Sequence, residues 1–192
     1  MISAAALTPD QSALLLIDVQ EEYFVPGGPL QLPGGPAALR EAAVLLDWAR
    51  RAGACVVHVR HVSSHPWAGE FRAGSPAVRI RPEVAPVSGE LVLDKHTPSA
   101  FAGTRLREEL EARHISSVVI AGFMTGTCCT ATAHEALALR YRTVFSSDAT
   151  AALPVTGADH EQVHERALRV QRQIGAEVLS TASIARLMAV PA

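Results

Sequence analysis

The chain has 192 residues, of which 48% are hydrophobic and 19% charged, and its formal net charge is -2. This composition is typical of a folded globular protein and excludes a disordered chain. The small net charge argues against a nucleic-acid or anionic-membrane partner, and no apolar stretch approaches the roughly 20 residues that span a bilayer. We predict one domain over residues 1–192.

Six short apolar runs alternate with helical patterns along the chain. The predicted strands are residues 14–17, 55–59, 91–93, 118–121, 143–145 and 177–179. The predicted helices are residues 38–49 closed by Gly53, 104–113, 128–140, and 158–173 closed by Gly175. This alternation predicts right-handed crossovers and a mainly parallel sheet that is covered by helices on both faces.

Two long segments, residues 26–36 and 61–89, are rich in proline or glycine and fit neither a strand nor a helix. Residues 149–159, after the fifth predicted strand, are a further candidate specificity loop. Loops this long are usually functional in a compact domain, so we expect them to act as lids, interface arms or specificity loops.

Polar residues of three chemical types follow three of the apolar runs. Asp18 comes directly after the first run, Lys95 lies just beyond the third, and Cys128 follows the fourth and a Gly-containing turn. Ligands bind at the carboxyl ends of the strands in open parallel sheets. We therefore expect a carboxylate, an ammonium group and a thiol to converge there, as in a nucleophilic hydrolase.

The three cysteines, Cys55, Cys128 and Cys129, are expected to play different roles. Cys128 is predicted to begin a helix, where unpaired N–H groups favour a thiolate and the turn amides can receive an oxyanion. Cys55 and Cys129 fit small buried apolar residues. An odd number of cysteines without a disulfide spacing predicts reduced thiols. Residues 1–10 do not resemble a signal peptide, so we expect a cytoplasmic protein.

The charged residues and the histidines also have simpler interpretations. Asp18 alone could cap a turn and Lys95 alone could be a surface charge, but a buried charge near a strand end needs a partner. The spacing of His58, His61 and His65 matches no zinc pattern, so we interpret these as core and loop residues. His160 and His164, one helical turn apart, are explained equally well as exposed residues of a helix face and as ligands.

Three blocks of the sequence form a recognisable set. An Asp-x-Gln motif leading to an aromatic residue lies in residues 16–24, and a Lys followed by Ser-Ala-Phe lies in residues 95–101. A Gly-rich turn with Thr-Cys lies in residues 122–133. In these blocks the chain resembles the isochorismatase-like cysteine hydrolase superfamily, which includes nicotinamidases and N-carbamoylsarcosine amidase-like enzymes. The resemblance covers nearly the whole chain. It implies a Rossmann-like, three-layer α/β/α sandwich with a six-stranded, mainly parallel sheet.

The resemblance also implies roles for individual residues. Asp18 would be the general base, Lys95 its charge partner and Cys128 the nucleophile. A non-proline cis peptide would join Phe123 to Met124, and the backbone N–H groups of Met124 and Cys128 would form the oxyanion hole. We take as candidates for the substrate pocket Gln20, Tyr23, Phe24, Phe101, Phe123 and Thr132.

Two departures from relatives narrow the predicted chemistry. Isochorismatases that cleave a vinyl ether tend to lack this cysteine, so its presence favours C–N hydrolysis. Nicotinamidases carry an Asp-x-His metal site after the second strand, whereas this chain has Ser63-Ser64-His65-Pro66. We therefore predict an amidohydrolase with no metal and no cofactor, which acts on a small molecule through a thioester.

The expected partners are a small-molecule substrate and further copies of the chain, because relatives are commonly dimers or tetramers. Two alternatives stay open. One is a metal-assisted, nicotinamidase-like hydrolase that uses His61 or His65. The other is a catalytically idle scaffold of the same fold that binds a ligand or partner.

Overall fold

The computed structural model describes residues 6–65 and 67–187. Residues 1–5, Pro66 of the predicted 61–89 loop, and residues 188–192 lie outside the described part. Six parallel strands form one sheet in the order β3-β2-β1-β4-β5-β6. The strands are β1 Ser12–Ile17, β2 Cys55–His61, β3 Leu91–Lys95, β4 Ser117–Phe123, β5 Arg142–Ala151 and β6 Glu177–Leu179.

Helices cover both faces of the sheet, which confirms the predicted three-layer α/β/α sandwich. The helices are α1 Gly35–Ala52, α2 Leu106–Ala112, α3 Thr130–Ala138, α4 His160–Ile174 and α5 Thr181–Leu187. Helices α1 and α5 pack on one face, and α2, α3 and α4 pack on the other. No helix within residues 6–65 and 67–187 has both the length and the apolar character to cross a bilayer.

The central strand β1 shows why these residues form a sheet that is buried on both sides. All six of its residues are buried. Leu14 and Leu16 contribute to the core beneath α1, whereas Leu15 and Ile17 contribute to the core beneath α2 and α3. Alternate residues of a strand point to opposite faces, so a continuous apolar run fills both cores.

Helix ends match the predicted stop signals at two positions. Gly53 ends α1 with φ 72° and Gly175 ends α4 with φ 101°, both in the left-handed region that glycine tolerates. Helix α4 begins two residues later than predicted because Asp159 caps it, together with Gln162, through reciprocal hydrogen bonds.

The prediction that a helix begins at Cys128 was wrong. Residues Thr125–Cys129 form a wide π-type turn, in which the Cys129 N–H donates to the Met124 carbonyl oxygen at 3.3 Å. Helix α3 then begins at Thr130 and ends at Ala138, before Arg140 adopts a φ of 67°. The nucleophile candidate therefore lies inside the turn rather than at the first residue of an α-helix.

Other boundaries differ from the predictions for local reasons. Helix α1 begins at Gly35, inside the predicted 26–36 loop, and β5 extends to Ala151, inside the predicted 149–159 loop. The register of β4 and β5 shifts between Ile120 and Gly122, which accounts for the extra length of β5. Helix α5 was not predicted, although the Ser180 hydroxyl accepts a hydrogen bond from the Ser183 N–H at its start.

Candidate active site

Asp18 lies at the carboxyl end of β1 in a backbone conformation that the surrounding strands enforce. Its φ is 51° and its N–H donates to the Val59 carbonyl oxygen of β2 at 2.8 Å. Gly122 of β4 has a φ of 116°, and a Cβ there would lie 2.0 Å from the Ile17 carbonyl oxygen. Only glycine permits this close approach of β4 to the residue before Asp18.

Lys95 is the last residue of β3 and its side chain is 0% exposed, as is that of Asp18. The Lys95 Nζ lies 2.8 Å from Asp18 Oδ2 and donates to Cys128 Sγ at 3.3 Å. The structure therefore brings together the three residues that the sequence places more than 30 positions apart. The Asp18 carboxylate also lies within hydrogen-bonding reach of the Cys128 thiol, so the thiol proton has a direct path to Asp18.

A cis peptide joins Phe123 to Met124, as the family resemblance implied. In the turn that follows, the Met124 carbonyl oxygen accepts hydrogen bonds from the N–H groups of Thr127 and Cys129. Cys128 is partly exposed and Cys129 is buried, which matches the predicted difference between them. All three cysteines are free thiols in the structure.

The pKa of the Asp18 carboxyl group and the pKa of the Cys128 thiol lie far apart. Burial raises the pKa of Asp18 to about 6, although the Lys95 charge opposes this shift. Burial and the charge of Asp18 raise the pKa of Cys128 to about 12, again against Lys95. At neutral pH the resting site therefore holds a carboxylate, an ammonium group and a neutral thiol.

Transfer of the thiol proton to Asp18 would change the charges that act on the Cys128 sulfur. The Asp18 negative charge is one of the causes that raise the pKa of Cys128. Once Asp18 has taken the proton, this repulsion disappears and the Lys95 ammonium group faces the thiolate alone. The geometry is therefore suited to a thiol that ionises during attack and stays protonated at rest.

His61 enters the site although the sequence analysis treated it as a core or loop residue. It is the last residue of β2, and its Nδ1 lies 3.1 Å from Lys95 Nζ. Burial, followed by the charges of Lys95 and His96, lowers the pKa of His61 to about 4. The sequence could not select His61 over His65, because only the β2–β3 register places His61 opposite Lys95.

His164 does not lie on an exposed helix face, which was one of the two interpretations that its spacing to His160 left open. Its ring is partly buried: Nε2 donates to the Ser147 carbonyl oxygen at 2.8 Å, and Nδ1 lies 2.9 Å from Thr125 Oγ1. His164 therefore connects α4 to the first residue of the Thr125–Cys129 turn. Its spacing to Ala167, Leu168 and Gln171, the buried stripe of α4, could have indicated this.

Three of the pocket candidates form an aromatic cluster beside the site. Tyr23 and Phe123 pack edge to face with ring centroids 5.4 Å apart, and Phe24 contacts Phe123 at 5.8 Å. Phe71, from the 61–89 loop, completes the cluster by contacting Tyr23 at 5.4 Å and His61 at 5.0 Å. The sequence analysis did not identify Phe71, because its loop has no regular pattern.

The other three pocket candidates have different surroundings. Gln20 Nε2 donates to the carbonyl oxygens of His61 and Val78, and Gln20 Oε1 accepts from the His61 N–H. We therefore interpret Gln20 as a support for His61. The Thr132 hydroxyl accepts from the Ala100 N–H at 3.0 Å, and Phe101 stacks on Tyr141 at 5.9 Å. We interpret Thr132 and Phe101 as supports for the segment that follows Lys95.

The possible metal ligands in the described part of the chain do not suit a catalytic metal. One group of three qualifies by distance, and it consists of Asp18, His61 and Cys128. The Lys95 ammonium group already occupies the space among these residues and would repel a divalent cation. His65 is not part of this group, and its Nδ1 accepts instead from the Trp67 N–H.

Comparisons with known proteins agree on one family. Residues 12–183 match the sequence model of the isochorismatase domain. A maleamate amidohydrolase from Pseudomonas putida is 36% identical over 80% of this chain and 75% of its own length. Nicotinamidase 3 from Arabidopsis thaliana is 31% identical over 82% of this chain and 78% of its own length. The crystal structure of an isochorismatase from Pseudomonas putida has a TM-score of 0.85 at 32% identity, covering 95% and 94% of the two chains.

Proposed function

The chain belongs to the isochorismatase family and is an amidohydrolase, and from this premise we propose that it cleaves a small-molecule C–N bond through a thioester on Cys128. The observation that carries the proposal is the convergence of three side chains. Lys95 Nζ contacts Asp18 Oδ2 at 2.8 Å and Cys128 Sγ at 3.3 Å. A nucleophile, a base and a charge partner are thereby within reach of one reacting carbonyl group.

In the first half of the reaction, Cys128 Sγ attacks the amide carbonyl carbon while its proton passes to Asp18. The backbone N–H groups of Met124 and Cys128 receive the oxyanion, because the first amides of a helical turn lack intrahelical acceptors. Asp18 then returns the proton to the departing nitrogen. The C–N bond breaks, an amine or ammonia leaves, and a thioester remains on Cys128.

In the second half, a water molecule attacks the thioester carbon. Asp18 accepts a proton from this water, and the oxyanion again rests on the turn amides. Collapse of the intermediate breaks the C–S bond, releases a carboxylic acid and returns the proton to the Cys128 sulfur. Lys95 keeps Asp18 in position and balances the negative charge throughout.

Phe71 is half-buried and its ring contacts His61, whereas Tyr23 and Phe123 are 2% and 0% exposed and support it from the core. Because an aromatic ring provides flat apolar contact area, Phe71 favours a small planar amide as the substrate. The names of two relatives, maleamate amidohydrolase and nicotinamidase, give compounds with which to begin a screen. The homo-oligomeric state and the cytoplasmic location remain predictions.

The test is a screen of small amides and carbamoyl compounds for release of ammonia or amine. An active compound is then mixed with the enzyme, quenched in acid within milliseconds, and the intact protein mass is measured. We expect a mass increase equal to the acyl group, located on Cys128 by peptide mapping. Turnover without any acyl adduct on Cys128, under conditions where deacylation limits the rate, would contradict the thioester route.

We predict an acid limit of activity near pH 6. Asp18 must be ionised to accept the thiol proton, and its pKa is raised to about 6. Therefore kcat/KM should fall about tenfold per pH unit below this value and stay level above it until the thiol titrates. The measurement is a pH profile of kcat/KM with a substrate that does not titrate between pH 4 and 9. A profile with no acid limb between pH 4 and 9 would show that Asp18 is not the base.

The metal-assisted alternative deserves a direct test because a nicotinamidase is among the relatives. We predict that activity survives chelation, since Lys95 occupies the centre of the possible ligand group. The protein is dialysed against a strong chelator, its residual metal is measured by elemental analysis, and the substrate from the screen is assayed. Activity that is lost and then restored by zinc, iron or manganese would support the alternative.

A further inference from the structure

The Lys95 ammonium group faces more acceptors than it has hydrogens. A lysine ammonium group carries three hydrogens and no acceptor. Four acceptors surround Lys95 Nζ: Asp18 Oδ2 at 2.8 Å, the Thr97 carbonyl oxygen at 3.1 Å, His61 Nδ1 at 3.1 Å and Cys128 Sγ at 3.3 Å. At least two of these acceptors must therefore share a hydrogen.

His61 is held in place independently of Lys95. Its backbone N–H donates to Gln20 Oε1 at 2.8 Å, and its carbonyl oxygen accepts from Gln20 Nε2 at 2.9 Å. Its ring packs edge to face against Phe71, with centroids 5.0 Å apart. The contact between His61 and Lys95 thus follows from the β2–β3 register and from Gln20.

The hydrogen positions on His61 follow from its neighbours. Lysine can only donate, so Nδ1 carries the lone pair and the proton lies on Nε2. The charged and titratable groups that surround the ring are Lys95, Asp18, Cys128 and His96. Because burial and two of these groups lower the pKa of His61 to about 4, the ring is neutral and remains an acceptor at working pH.

We propose that His61 competes with Cys128 for one hydrogen of the Lys95 ammonium group and thereby keeps the resting thiol protonated. This inference rests on the proposed function and deepens it. When the thiol proton passes to Asp18, the thiolate becomes the stronger acceptor and takes the shared hydrogen from His61. When the thioester forms, sulfur loses its charge and the hydrogen returns to His61 Nδ1. His61 is thus a positioning residue that acts through Lys95.

The test measures the reactivity of Cys128 without any substrate. Iodoacetamide is added at pH 7.5 to the wild-type protein and to His61→Leu, and labelling of each cysteine is followed by peptide mass spectrometry. The leucine variant removes the competing acceptor, so we expect Cys128 to react roughly tenfold faster, the effect of one hydrogen bond to a charged group. His61→Asn places an oxygen near the position of Nδ1 and should react at the wild-type rate.

Two internal controls separate this effect from loosening of the fold. Cys129 is 0% exposed, so its labelling rate reports local opening and should not change. His134→Leu, at an exposed position on α3, should leave all rates unchanged. If His61→Leu does not fold, His61→Phe keeps a ring against Phe71 and repeats the test.

Once a substrate is known, we expect kcat and the alkylation rate of Cys128 to change in opposite directions in the same variant. In His61→Leu, kcat should fall even though Cys128 reacts faster with iodoacetamide, because the thioester state leaves one buried ammonium hydrogen without an acceptor. An unchanged or slower alkylation of Cys128, equal acceleration in His61→Asn, or parallel acceleration at Cys129 would overturn the proposal. None of these rates requires turnover, so failure of the thioester mechanism would be recognised separately.

Discussion

Cys128→Ala should abolish amide hydrolysis while the protein stays folded. The loss expected for removal of a covalent nucleophile is roughly 10⁴-fold or more in kcat. Cys128 lies partly exposed in the turn after β4, so replacing its sulfur with hydrogen creates little buried cavity. The measurements are kcat in the presence of saturating substrate and the thermal unfolding midpoint.

Cys129→Ala is the matched control for this substitution. Cys129 is the next residue and is 0% exposed, with its thiol packed in the core beneath α2 and α3. We expect this variant to lose about 1 kcal/mol of folding free energy, as for a small core truncation, and to keep most of its activity. An inactive Cys129 variant beside an active Cys128 variant would show that the adjacent cysteine is the nucleophile.

Replacing Asp18 and Lys95 together should reduce kcat far less than the product of the two separate reductions. Asp18→Asn keeps the shape of the side chain but cannot accept a proton, so kcat should fall roughly 10²- to 10⁴-fold. Lys95→Met fills the same space without charge and should cost roughly 10²- to 10³-fold, the scale of a lost electrostatic stabiliser. The kcat of the double variant should lie within about tenfold of the kcat of the less active single variant, because the effects of residues that act as a unit are not additive.

Stability provides an independent measurement on the same variants. Both side chains are 0% exposed and their charges lie 2.8 Å apart. Removing one partner leaves a buried charge uncompensated, which typically costs about 3–5 kcal/mol, whereas neutralising both can be nearly without cost. We therefore expect the Lys95→Met variant to unfold at a lower temperature than the double variant. Fully additive effects on both rate and stability would show that the two residues act independently.

The proposed catalytic groups could be selected from the sequence, because each follows an apolar run. Asp18 and Lys95 could be placed at strand ends by the simple rule that a buried parallel strand is a short apolar run. Gly53 and Gly175 likewise marked helix ends, since a left-handed φ favours glycine. These features depend only on local pattern, which a single sequence contains.

The surroundings of these groups depended on contacts between distant segments. His61 and His65 are equivalent in the sequence, yet only His61 pairs with Lys95 across the β2–β3 register. His164 contacts Thr125 in the turn that holds Cys128, 39 positions away, whereas its spacing to His160 was explained equally well by an exposed face and by ligation. Phe71 joins the aromatic cluster from a loop without any periodic pattern.

Local patterns were therefore enough to predict the layered α/β architecture and to select Asp18, Lys95 and Cys128 as candidates. The folded structure was needed to show that Cys128 lies inside a π-type turn, that His61 contacts the Lys95 ammonium group, and that His164 contacts this turn. The difference arises because strand and helix periodicity is a local property of the chain. Strand order, register and helix docking instead arise from the simultaneous burial of many side chains, and they set the distances on which the chemistry depends.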